Sequence, residues 1–268
     1  MQILTAGPTT LQVDRGRGGR LASLVAEGHE LLVQAPPDKA ADPMSWGCFP
    51  MVPFAGRIRG GRFRWGGVLH ELPQNHGGHA IHGTLLDERW LIEQADGGYL
   101  RLRAELRAPW PFPGWAIQEL SLAATHLDLR MEVHSAGPPF PATAGWHPWF
   151  RRHLAVGGAL EVDLHRGRWY PRDEDGLPTG EILPVPPTQP WDDCFTAIGW
   201  PARLTWPGAL QVMMTSTCTH AVLYDQQPHA ICVEPQSGPP DALNLDRAHI
   251  VRRHDPLIIE TSLSWRAL

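Results

Sequence analysis

The chain has 268 residues, 43% hydrophobic and 19% charged, with a formal net charge of −5 when histidine is neutral. That balance suits a globular protein and gives no electrostatic basis for binding nucleic acid or an anionic membrane. The four cysteines show no CxxC spacing and read as reduced thiols, and no run approaches the roughly 18 apolar residues of a membrane span.

In chain order, the N-terminal stretch reaches Asp14 and Arg15 without an apolar segment, so no signal peptide is expected, and the reduced thiols fit an expected cytoplasmic location. Strands are predicted at 21–25 and 30–34, then at 62–65 and 68–72 across Gly66-Gly67, with Gly60-Gly61 as a further turn. After a strand at 90–94 and the Gly97-Gly98 turn, alternation becomes regular. Leu100, Leu102, Ala104 and Leu106 oppose Arg101, Arg103, Glu105 and Arg107. A strand at 117–123 leads to Leu127, Leu129, Met131 and Val133, opposed by Asp128, Arg130, Glu132 and His134. Further strands are predicted at 160–163, 210–214, 221–224 and 230–234. The last places Leu257, Ile259, Thr261, Leu263 and Trp265 on one face. Period two with one apolar face is the mark of antiparallel strands packed on a core. No stretch longer than about ten residues keeps the 3.6-residue helical period. The chain therefore reads as all-β, a single antiparallel domain over 1–268. Two proline-rich segments, 35–43 and 171–190, interrupt the pattern, and long ordered loops of this kind are often functional.

Three polar constellations sit where strands or strand ends should be apolar. They are Asn75-His76-Gly77-Gly78-His79-Ala80-Ile81-His82-Gly83, then Gly145-Trp146-His147-Pro148-Trp149-Phe150, then Ile231-Cys232-Val233-Glu234-Pro235-Gln236. Imidazoles and a carboxylate at buried strand margins are costly unless partnered, and burial tunes such groups for proton transfer. Glu234 follows two apolar residues, so its pKa is expected to rise, and Pro235 biases its backbone to the extended form. His147 lies between two tryptophans and also precedes a proline. On residues alone, Glu234 reads equally as a strand-end carboxylate paired with an arginine, and His147 as a core histidine. His76, His79 and His82 raise a metal site, although the intervening glycines make no helix to align them.

These motifs resemble those of the aldose 1-epimerases (mutarotases) of the galactose mutarotase-like superfamily. The resemblance runs from about Leu21 to Trp265. It includes Pro53-Phe54-Ala55-Gly56-Arg57-Ile58-Arg59-Gly60-Gly61-Arg62-Phe63, Asn75 with His82-Gly83, and the His147 motif. Asp193-Cys194-Phe195 and the run from Glu234 to Asn244 complete it. The resemblance implies a large antiparallel β-sandwich, the supersandwich, and an isomerase exchanging the α and β anomers of a free aldohexose. It implies Glu234 as general base and His147 as general acid. Arg57, His82, Asp193, Asn75 and Trp149 would bind the sugar, with Asp192 the alternative carboxylate to Asp193. It implies no cofactor and no metal, a monosaccharide substrate, and a monomer or homodimer. Tyrosine is more usual than Trp149 before the phenylalanine, a departure that bears on which sugar fits. Three other readings remain: a hexose-6-phosphate 1-epimerase using cations from Arg57 to Arg64, a non-catalytic carbohydrate-binding module, and a metal enzyme built on the histidines.

Overall fold

The computed structural model describes residues 1–36, 42–184, 188 and 190–268. Most strands join one antiparallel sheet of 16 strands. From one edge the order is Gln2–Ala6, Thr9–Asp14, Arg20–Ala26, Cys48–Met51, Gly145–Arg151, Ala230–Gln236 and His220–Tyr224. It continues through Asp192–Trp206, Leu210–Ser216, Leu257–Ala267, His126–Ser135, Gly114–Leu122 and Tyr99–Leu106 to Leu91–Asp96. The architecture is the expected all-β sandwich; among the described residues the only helical piece is a 3-10 turn at Arg59–Gly61.

The last strands in this order follow the alternation of the sequence. Residues 127, 129, 131 and 133 are buried, as are 257, 259, 261, 263 and 265 on the neighbouring strand and 100, 102, 104 and 106 two strands away on the other side. Their charged faces align in register as Arg101, Glu119, Arg130 and Glu260, alternating in sign across four strands. The two limbs of the sheet are tied through Gln118, which is fully buried. Its Nε2 donates to the Gly19 carbonyl at 2.7 Å, and its Oε1 accepts from Trp146 Nε1 at 3.1 Å. Both polar atoms of this buried amide, carried by Gly114–Leu122, are thereby engaged by groups of the other limb, which fixes that outer strand against the central one.

Some elements differ from the sequence reading. The strand expected at 30–34 ends at Glu30, because the Glu30 carboxylate itself accepts from the Leu24 and Leu32 backbone N–H groups, both at 3.0 Å, in place of ladder carbonyls. Gln2–Ala6, Thr9–Asp14, Cys48–Met51 and Asp192–Trp206 are strands that the sequence reading did not predict. The last is 15 residues long and contains Gly199 and Pro201, which obscure its alternation. Of the two proline-rich segments, 37–41, 185–187 and 189 lie outside the described residues. All four cysteines are free and buried.

Candidate active site

The centre of the sheet is formed by Gly145–Arg151 and Ala230–Gln236, antiparallel with Trp149 opposite Cys232 and Phe150 opposite Ile231. Trp146, Phe150, Ile231 and Val233 enter the main core. The alternate positions His147, Trp149 and Glu234 line a cavity of about 350 Å³ on the other face. His147 Nε2 and Glu234 Oε1 are 3.3 Å apart, with the side chains 7% and 2% exposed. Two residues far apart in sequence therefore meet because two strands are neighbours.

Burial drives both groups toward neutrality. Glu234 is held well above the usual carboxylate range, first by loss of solvation and then by the nearby Asp192 charge. His147 is pushed down to about 3, mainly by burial, with the Arg20 guanidinium acting in the same direction. The imidazole is clamped between rings, stacked on Phe49 at 4.7 Å and on Trp149 at 5.4 Å. His147 Nδ1 and Trp149 Nε1 are buried without a hydrogen-bond partner among the described residues.

The wall opposite comes from the 57–83 region. Arg57 lies in a two-residue strand paired with Ala80–Ile81, and its carbonyl accepts from Asp241 N at 2.6 Å. Its guanidinium lines the cavity and makes no hydrogen bond or ion pair with any described residue. His82 has φ +59°, a left-handed conformation uncommon for a side-chain-bearing residue. Gly83 follows at φ +85°, where an added Cβ would stand 1.9 Å from the Val52 carbonyl oxygen, so only glycine lets the turn pass. This turn sends the His82 ring into the cavity edge-on to His147, with centroids 5.0 Å apart. Burial, then the neighbouring His147 and Arg57, hold His82 well below its ordinary pKa.

Two expected sugar contacts are placed elsewhere. Asn75 is exposed and does not line this cavity; its amide clasps Ile81, donating to the carbonyl at 3.2 Å and accepting from the N–H at 2.8 Å. It shapes the turn that presents His82. Of the adjacent carboxylates, Asp192 lines the cavity and Asp193 does not, because successive strand residues face opposite ways. Arg172 reaches both, at 2.9 Å to Asp192 and 3.3 Å to Asp193. Asp192 is raised by burial despite Arg172 and Arg57.

Sequence reasoning did not single out Tyr170, Arg172, Tyr224, His229 or Gln236, all of which line the cavity. Gln236 was legible, since period two from Cys232 and Glu234 leads to it. Arg172, Gly176 and Pro178, with Asp42, Met44 and Ser45, bring both proline-rich segments into the wall. The three loop histidines do not converge. His79 Nδ1 accepts from Gly60 N at 3.1 Å, while His76 is exposed. Among the described residues, the one grouping of three metal-capable donors is His147, Cys232 and Glu234, within 4.8 Å of one another. Its thiol is fully buried and raised well above its ordinary pKa by burial and by Glu234.

A paired acid and base in a cavity lined by free hydrogen-bonding groups can move protons on a small polyhydroxyl compound. The family model described as Aldose 1-epimerase matches residues 15–193. The chain belongs to the aldose 1-epimerase family. It is 27% identical over 250 residues to the uncharacterized protein YihR of Escherichia coli K12, covering 85% of this chain and 80% of that protein. In fold it is similar to a galactose mutarotase-like protein of Clostridium acetobutylicum, with a TM-score of 0.88 at 15% identity over 99% of this chain and 95% of that one. It is also similar to the galactose 1-epimerase of Lactobacillus acidophilus, with a TM-score of 0.79 at 18% identity over 98% and 92% of the two chains. This member of the aldose 1-epimerase family has, among its described residues, no helix long and apolar enough to cross a membrane.

Proposed function

We propose that this protein interconverts the α and β anomers of a free aldohexose, with Glu234 and His147 as the proton-transfer pair. The observation that carries the reading is the 3.3 Å approach of these two groups inside one cavity. The neutral pair and its ion-pair form differ only in which partner holds a single proton. In the ion-pair form the Glu234 carboxylate takes the proton from O1 as the C1–O1 bond becomes a carbonyl. The C1–O5 bond breaks, and O5 receives its proton from the His147 imidazolium. Rotation about C1–C2 turns the aldehyde, and O5 then attacks its other face. The O5 proton returns to His147 and Glu234 protonates O1, so no proton is gained or lost. Each of the two groups is expected to contribute on the order of 10²–10⁴-fold.

Arg57, His82 and Asp192 would hold the hydroxyls, and the Trp149 ring offers an apolar face to the sugar. Of the four arginines from Arg57 to Arg64, Arg59 is bound by Asp173, Asp175 and Asp241, and Arg62 by Glu71 at 2.8 Å. Of that run only Arg57 lines the cavity, and the other arginine there, Arg172, is held by Asp192 and Asp193, so among the described residues a phosphate meets no cluster of free cations, which favours the free sugar. Polarimetry on freshly dissolved α-glucose, α-galactose and glucose 6-phosphate tests the reading. Faster approach to equilibrium with a free sugar supports it; no acceleration with any aldose, despite binding, would make the protein a carbohydrate-binding module instead.

A further inference from the structure

Gln236 occupies the cavity wall beside Glu234 with no exposed surface. Its Nε2 donates to Glu234 Oε2 at 3.1 Å, while its Oε1 is buried with no hydrogen-bond partner among the described residues. A buried amide carbonyl left unmatched in a binding cavity is costly, and a ligand hydroxyl is the natural group to satisfy it. The backbone on either side is fixed, since Gln236 pairs with Gly145 on one strand and His220 on the other. Gly145 leaves room for it: a Cβ there would stand 3.1 Å from Gln236 Cγ and 2.6 Å from the Pro235 carbonyl oxygen. The two carboxylate oxygens of Glu234 thus differ. Oε2 is anchored by the amide, and Oε1 faces His147.

We propose that Gln236 is a positioning residue that orients the Glu234 carboxylate through Oε2 and accepts a hydrogen bond from a sugar hydroxyl through its own Oε1. This inference rests on the anomer-exchange reading of the same cavity. A donor to a carboxylate strengthens when the carboxylate is charged, so Gln236 favours the ionised form that removes the O1 proton. The other groups acting on Glu234 come from several strands: His147, Arg57, Asp192, Cys48, Cys194 and Cys232. On the remaining neighbour, Val222 lies directly across, His220 is engaged by Tyr170, and Tyr224 by Gln227. None of these is altered by a change at Gln236 alone.

The test is kcat and KM for mutarotation across pH in Gln236→Leu and Gln236→Met. For Gln236→Leu, kcat/KM falls about 10- to 100-fold, divided between a higher KM and a lower kcat. The acid limb of the profile moves to higher pH, because the carboxylate has lost its donor. Gln236→Met keeps the length of the side chain, removes the same donor and moves the limb in the same direction; it decides the matter should the leucine variant not fold. Wild-type constants and an unmoved limb in a folded variant overturn the proposal, as does lost activity with an unmoved limb, which marks a merely structural role. Should the wild-type protein exchange no anomers, the functional reading fails separately. Sugar titration followed by tryptophan fluorescence then decides: affinity about tenfold weaker in Gln236→Leu supports the hydroxyl contact, and unchanged affinity overturns it.

Discussion

Two regions of one sheet use the same backbone geometry for different ends. In the outer strands from Tyr99 to Ser135 and from Leu257 to Ala267, one face is core and the other is water, with Arg101, Glu119, Arg130 and Glu260 in a line of alternating charge. At the centre, all of Ala230–Gln236 and six of the seven residues of Gly145–Arg151 are buried on both faces. There, one face packs on the core and the other lines the cavity, so His147 and Glu234 are desolvated while the charges of the outer strands remain wet. A sheet holds its fold with the cheap alternation of its outer strands and its chemistry with polar groups whose burial works against stability.

The sharpest division between the regions is expected at Glu234. Glu234→Gln should lower mutarotation at least about 100-fold by polarimetry. Its folded pKa is raised, so the folded state keeps a proton that the unfolded chain releases above about pH 4.3. The group therefore weakens the fold progressively as pH rises through this window, and the glutamine variant should melt no lower than wild type at pH 8. A lower melting temperature there would show that Glu234 stabilises the fold.

Leu129→Ala should do the opposite, removing about 2–5 kcal/mol of stability in denaturant titrations while leaving kcat unchanged. A parallel loss of kcat would mean that the two regions are not separable.

The next effect is in acid. Burial lowers His220 to about 4 and His147 to about 3, so both are neutral in the fold at pH values where the unfolded chain is protonated. Their contribution is complete above about pH 6.5 and is lost as pH falls toward those values, with at most about 3 kcal/mol from His220. His220→Gln should flatten the fall of the melting temperature between pH 6.5 and 4; an unchanged slope would assign that fall to other groups. The smallest change belongs to the surface ladder. Arg130→Met should cost no more than about 1 kcal/mol, and less at high salt, in melts at two ionic strengths.

The same contrast explains what was legible in the sequence. The outer strands announce themselves by period two, because water on one face demands polar residues there. The central pair carries no such period, and Gly145–Arg151 is visible only through its motif. Family motifs indicated His147, Glu234, Arg57 and His82 as a set, but not the one-residue parity that turns Asp192 rather than Asp193 to the cavity. Asn75 could not be told from a ligand, since a clasp on Ile81 depends on the local turn. Tyr170 and Arg172 border a proline-rich segment whose path no periodicity fixes, so their arrival in the wall is a tertiary fact. The Glu30 side chain, replacing ladder carbonyls, ended a strand that composition alone extended.

The most direct measurement is NMR exchange spectroscopy on an aldose labelled with ¹³C at C1, with wild type and Glu234→Gln compared at equal sugar occupancy. The wild-type protein is expected to give cross-peaks between the α and β C1 signals, and the variant to shift the sugar signals on binding without them. Undiminished exchange in the variant would contradict the account, because the proton on O1 would then be leaving by a route other than Glu234.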